Sequence, residues 1–181
     1  MLGRNGLSST TDRIVACRRI ASAALIASLA IAEGFSNTAI QPVPNDRWTY
    51  GHGSTYRADG SPVEQGDTIS RAEAKTLLVK TVDETYARAI QRCAGDVPMT
   101  QGEFDSLVDL AYNIGPASVC RFSMIPKFRA GDYEAGCKAI LSIDKLQGVH
   151  CADPRNKRVP GCKGVMNRRT HQYRICIGEK P

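Results

Sequence analysis

The sequence predicts an α+β protein, mainly α, and three observations carry that prediction. Two capping boxes, Ser70 with Glu73 and Thr100 with Glu103, each open an apolar run at helical spacing. Between Thr49 and Ser70 the chain is turn-rich, with Asp59-Gly60 and Gly66-Asp67 as turn signals, which fits a small antiparallel sheet of two or three strands. An uncharged run of Ala, Ile, Leu and Ser, from Ile20 to Ala32, precedes both and ends abruptly on Glu33.

Arg13, Arg18 and Arg19 form a positive start to that run, and Ala30-Ile31-Ala32 resembles an A-x-A cleavage site, so the segment fits a signal peptide. It is shorter than the roughly 20 residues that span a bilayer firmly. Ala and Ser also contribute little apolar transfer energy. Cleavage after Ala32 would leave Glu33 as the new amino terminus with no helix beneath it. Three readings therefore stand: a cleaved signal, a weak anchor that later leaves the membrane, and the first core helix. The last two are compatible at different times. Glu33 itself is either an ordinary solvated residue at a helix end or a chemical group. An apolar mount disfavours the charged carboxylate, and a general acid needs the protonated form.

Beyond the turn-rich stretch, Leu78, Val82, Tyr86 and Ile90 recur every four residues, which predicts a helix over about residues 71–92. Thr100 and Glu103 open the next helix, with Phe104, Leu107, Val108 and Ala111 as its buried stripe and Gly115-Pro116 as its stop. A shorter helix is expected from Asp132, carrying Tyr133, Cys137 and Ile140. Residues 144–163 read as loop, and "KGVMNRRTHQYRIC" as a final basic amphipathic helix.

Length and composition fit one domain with a real core, possibly in two lobes: 181 residues, 42% hydrophobic and 23% charged. The net charge of +6 points to an anionic partner, such as nucleic acid, anionic lipid or an acidic cell-wall polymer. No zinc-finger spacing, RNP segment or long basic helix accompanies it, which disfavours nucleic acid. Cys93, Cys120, Cys137, Cys151, Cys162 and Cys176 show no C-x-x-C pair and no interleaved His, so disulfides are expected rather than a metal. Six cysteines allow about 15 connectivities. One set follows the chain: Cys151 with Cys162 around a short loop, Cys137 with Cys176 between two helices, and Cys93 left with Cys120. Cys17 is then unpaired. No cofactor is expected.

Three blocks, "EGFSNTAI…RWTYGHGST", "EFDSLVDLAYNIG" and "GVMNRRTHQYRIC", resemble the signature segments of the phage-type lysozymes, glycoside hydrolase family 24. The narrower resemblance is to endolysins of phages and prophages of Gram-negative hosts. It implies a lysozyme-like fold, with a small β-hairpin lobe, a long connecting helix and a helical lobe. It implies a muramidase that hydrolyses the β-1,4 bond between N-acetylmuramic acid and N-acetylglucosamine in peptidoglycan. The family's Glu falls on Glu33 and its Thr on Thr49. Where much of the family has Asp, nine positions after the Glu, this chain has Pro42; Asp46 is the nearest substitute. Asp46 also fits an ordinary Pro-Asn-Asp turn. Gln172 stands where a Glu often follows the Arg pair, Arg168 and Arg169. Gly51, His52, Tyr112 and Asn113 are the expected substrate contacts, although His52 reads equally as structural and Tyr112 and Asn113 as packing and cap.

On this reading residues 1–32 are a signal-anchor or first helix and 33–181 the lysozyme domain, with 33–69 the catalytic Glu and β lobe and 70–181 the connecting helix and α lobe. The enzyme is expected to be a monomer, exported to the host periplasm and first tethered to the inner membrane through Ile20–Ala32. The alternative is a secreted non-enzymatic module that binds cell wall or membrane.

Overall fold

The computed structural model describes residues 13–179; the leader's residues 1–12 lie outside the described residues. The elements run β1 (Ile14–Val15), α1 (Ala23–Glu33), β2 (Ser36–Ile40), β3 (Thr49–Gly51), α2 (Arg71–Thr81), α3 (Arg88–Ala94), β4 (Pro98–Met99) and α4 (Gln101–Ile114). They continue with α5 (Pro116–Arg121), α6 (Met124–Arg129), α7 (Tyr133–Lys138), β5 (Lys145–Leu146), β6 (Val149–His150) and α8 (Cys162–Cys176). The chain divides into two compact units: Ala21–Thr85, and the described residues on either side of it.

In the Ala21–Thr85 unit, α1 starts where the Ser22 hydroxyl accepts from the Leu25 amide at 3.1 Å. It buries Leu25, Ile26 and Leu29 and packs on α2. Gly34 ends it at φ +72°, a conformation that side-chain-bearing residues rarely adopt. β2 then pairs antiparallel with β3, Ser36 opposite Gly51 and Ile40 opposite Thr49. Tyr50, Val63, Ile69, Ala74 and Leu77 form the core, with Phe35, Ala39 and Trp48 packed against it. The sheet thus begins before the predicted Thr49–Ser70 window. Ser36–Ile40 opens on three polar residues and gives no alternating signal; β3 and its register make it a strand. Between β3 and α2 the chain forms isolated bridges, such as Thr38 with Thr68, in place of a further strand.

The Ser70–Glu73 capping box is present, and helical structure runs from Arg71 to Ala94. It is not uniform, because Val82–Ala87 forms a π-helical stretch between α2 and α3. The buried positions explain the departure. Ala74, Leu78 and Val82 are four apart, but the next buried residue is Ala87, five further on, followed by Ile90 and Ala94. An i→i+5 turn supplies that extra residue. The boundary between the units falls in this stretch, at Thr85.

The helical unit is built on α4. The Thr100–Glu103 box caps it and Gly115 stops it, as expected. Burial is more complete than a stripe: every residue from Glu103 to Ala111 is buried, acidic Asp105 and Asp109 included. α5 and α8 both pack on α4. Disulfides join Cys93 to Cys120, Cys137 to Cys176 and Cys151 to Cys162, the pairing that follows the chain. Each such closure typically contributes about 2–4 kcal/mol. Residues 144–163 contain more than loop. β5 and β6 form a hairpin whose turn residues, Gln147 and Gly148, both have positive φ. Buried Asp144 anchors it, accepting from the Ala152 amide at 2.8 Å and His150 Nδ1 at 2.9 Å. Burial alone would raise that carboxyl's pKa, but these two donors outweigh it and hold it below the usual range.

The largest departure concerns the basic start of the leader. β1 pairs with β4, Ile14 opposite Met99. The Ala16 and Cys17 amides donate to the carbonyls of Val97 and Gly95, both at 2.9 Å. Arg19 is buried, with Nε donating to the Met99 carbonyl at 2.8 Å and Nη1 to Gln101 Oε1 at 3.0 Å. Arg13 Nη2 donates to Glu103 Oε1 at 2.7 Å, and its guanidinium lies 3.9 Å over the Tyr133 ring. Two of the three arginines of a signal-like leader are therefore fastened into the helical unit. The third, Arg18, is exposed, and so is the free thiol of Cys17.

Candidate active site

Glu33 is the last residue of α1 and is exposed. The apolar run does not enclose it, because Leu25, Ile26 and Leu29 turn into the unit further back along the helix. What lies beside Glu33 is the β2–β3 hairpin. With Ser36 opposite Gly51, the register carries residues 51–53 back to the turn that follows Glu33. A Cβ added at Gly53 would stand 3.9 Å from Glu33 Oε2, and Gly53 holds φ +82°.

The residues expected on this hairpin separate by role. Thr49 is half-buried, and its hydroxyl donates to the Ile40 carbonyl at a long 3.4 Å. Gly51 is buried and packs rather than facing solvent: at φ +61°, a Cβ there would meet Ala74 Cβ at 3.0 Å. His52 Nδ1 donates to the Gly34 carbonyl, and its ring lies 5.8 Å from that of Phe35. Asp46 sits in the exposed loop between the strands. Its Oδ1 accepts from the Arg47 amide at 2.7 Å, and its carbonyl from Gln41 Nε2 at 2.8 Å. Both are local turn contacts of the kind Asp makes readily.

Tyr112 and Asn113 belong to the helical unit, at the end of α4. The Tyr112 ring packs 5.0 Å from that of Tyr86. Asn113 is exposed, and its Oδ1 accepts from Arg169 Nη2 at 2.7 Å. A guanidinium only donates, so this contact fixes which face of the amide is oxygen. Buried Arg169 also donates to the Ile143 carbonyl at 2.7 Å and to Gln172 Oε1 at 2.8 Å. Burial, and then the charge of Arg168, lower its pKa, while Asp109 opposes them. Gln172 occupies the place of the expected Glu, and its buried Nε2 has no partner among the described residues.

Sequence reasoning gave no role to Phe35 and Arg71, yet the Arg71 guanidinium lies 4.3 Å over the Phe35 ring, one residue beyond Gly34. The signal was the odd placement of Phe directly after a helix-stopping Gly. Among the described residues no group of His, Cys, Asp or Glu is placed to hold a metal ion.

Mostly helical with small β hairpins, the chain has the lysozyme-like fold of phage endolysins, which places it in the class of lysozyme-type glycoside hydrolases. Residues 30–172 match the phage lysozyme family model, and the chain belongs to that family. It is a lysozyme that acts on peptidoglycan. It is 28% identical over 123 residues to the endolysin of Acyrthosiphon pisum secondary endosymbiont phage 1, covering 68% of this chain and 75% of that one. It is 26% identical over 144 residues to the SAR-endolysin of Haemophilus phage HP1, covering 75% and 70% respectively. Among solved structures, the endolysin of Escherichia coli phage FAHEc1 superposes with a TM-score of 0.71 at 26% identity, covering 89% of this chain and 95% of that one.

Proposed function

We propose that this lysozyme is an endolysin that cleaves the β-1,4 bond between N-acetylmuramic acid and N-acetylglucosamine for host-cell lysis, with Glu33 as general acid. The observation that carries the assignment is the return of the hairpin, which brings Gly53 near Glu33, so that a Cβ added there would stand 3.9 Å from its Oε2. Glycoside hydrolysis needs an acid to protonate the leaving oxygen and a second group to handle water or the cationic intermediate. An exposed carboxylate on a rigid helix end can meet a polymer that arrives from solvent. Thr49 and Asp46 take the second role on this reading, orienting water.

Asp46 is the more exposed of those two and already makes turn contacts, so it provides the sharper test. Release of new reducing ends from purified peptidoglycan by the wild-type protein establishes the activity. If Asp46 activates water, Asp46→Asn lowers that release on the scale of a catalytic group, about 10²–10⁴-fold, with folding intact. Retention of more than about half the activity assigns Asp46 to the turn, where Asn serves equally well.

The leader reading follows from the same fold. We propose that Ile20–Ala32 is first held in the inner membrane of the host and then released uncleaved, so that the enzyme acts in the periplasm. Two observations support it: a relative is a SAR-endolysin, and α1 buries Leu25, Ile26 and Leu29 within its unit. No helix among the described residues is long and apolar enough to cross a membrane. The full chain, expressed and fractionated, is expected to keep its amino terminus and to move from membrane to soluble fraction on depolarisation. A fully lytic mature form beginning at or near Glu33 overturns the proposal.

A further inference from the structure

The turn that follows Glu33 is held from three sides. Gly34 supplies the positive φ that directs the chain out of α1. Phe35 is fixed between the Arg71 guanidinium at 4.3 Å and the His52 ring at 5.8 Å. His52 Nδ1 closes the turn from the residue just past β3, onto the Gly34 carbonyl. All of these groups lie within the Ala21–Thr85 unit, and the hydrogen bond joins residue 52 to the residue next to Glu33.

We propose that His52 is a positioning residue for the general acid: its Nδ1–H to the Gly34 carbonyl fixes the turn that aims the Glu33 carboxylate. This rests on the reading of Glu33 as general acid. A carbonyl oxygen only accepts, so Nδ1 must carry the proton in this contact, whether the ring is neutral or charged. The bond does not touch the reacting atoms. Its effect passes through one peptide unit, and Gly34 has the backbone freedom to let the helix end wander once the bond is gone. A displacement of about 1 Å at a reacting group can cost about 10²-fold in rate. The glycan is not held by this bond, so the loss should appear in turnover and not in binding.

Three substitutions at one position test it, each assayed for kcat and KM on soluble peptidoglycan fragments and for thermal stability. His52→Phe keeps a ring against Phe35 and removes the donor. His52→Asn places an amide nitrogen close to where Nδ1 stands, whereas His52→Gln carries its amide one carbon further out. The expected result is a kcat lowered about 10–100-fold in the Phe and Gln variants, with KM within about twofold of wild type and near-wild-type kcat for Asn. If all three keep wild-type kcat, or lose only thermal stability, the bond merely packs the turn and the proposal falls. If all three raise KM together, Asn included, the ring contacts the glycan itself and the proposal falls. Glu33→Gln run alongside separates the two claims. Activity retained there removes the general acid and this proposal with it. Activity lost there, with His52 variants unaffected, removes the positioning role alone.

Discussion

Glu33→Gln is expected to lose about 10²–10⁴-fold of glycan-cleaving activity while the protein folds normally. Glutamine preserves the size and polarity of the side chain and removes the transferable proton. Glu33 is exposed at the end of α1, and none of the core residues Leu25, Ile26 and Leu29 depends on its charge. A surface exchange of this kind usually changes stability by no more than about 0.5 kcal/mol, so the loss can be read as chemistry. The assay is the appearance of new reducing ends, with the thermal transition measured on the same preparation. Activity within about tenfold of wild type, in a folded variant, would remove Glu33 from the role.

The second large effect is one of stability and lies far from the chemistry. Glu103→Ala is expected to lower the thermal transition of the helical unit by on the order of 10 °C. Glu103 does two things at once: Oε2 accepts from the Thr100 amide at 2.8 Å, closing the capping box of α4, and Oε1 accepts from Arg13 at 2.7 Å. The side chains of Arg13 and Glu103 are only 9% and 4% exposed, so the pair is buried and removing one member strands the other. Breaking such a pair costs about 3–5 kcal/mol, and each kilocalorie shifts the transition of a chain this long by about 2–4 °C. Arg13→Met tests the ion pair separately, since it leaves the capping box intact. Glu103→Ala with an unchanged transition would show that the amino-terminal arm is not fastened as described.

These two residues also mark what the sequence could disclose. Glu103 was legible as a helix cap because Thr100 sits three positions away, and the same local chemistry exposed Ser70 with Glu73. Glu33 and Thr49 were singled out by a resemblance that fixed both positions at once. The pairing of Glu103 with Arg13 was not legible, because 90 residues separate the partners and basic residues before an apolar run read more simply as a leader. Strand β2 escaped notice for a related reason: Ser36–Ile40 has little strand character apart from the register that Thr49–Gly51 imposes on it. The π-helical stretch was hidden in a four-residue periodicity that counted Tyr86, when the residue that is buried is Ala87. At Asp46 and His52, both suited to more than one task, only the neighbours distinguish a turn former from a catalyst, or a clamp from a substrate contact.

The fastening of residues 13–20 onto the helical unit has a consequence for the order of events during synthesis. Ile14 leaves the ribosome long before Met99, the residue it pairs with, and Arg13 precedes Glu103 by 90 positions. At about 5–20 residues per second, the arm waits roughly 5–18 s for its partners to be made. During that interval β1 has no strand to join, and Arg13 and Arg19 have neither Glu103 nor the Met99 carbonyl. The beginning of the chain is therefore free, for a defined time, to be held by something other than its own fold. Pairing of the arm with the helical unit cannot begin before Met99 and Glu103 have been made. It becomes available only when both ends of that unit are on the same side of whatever held the first.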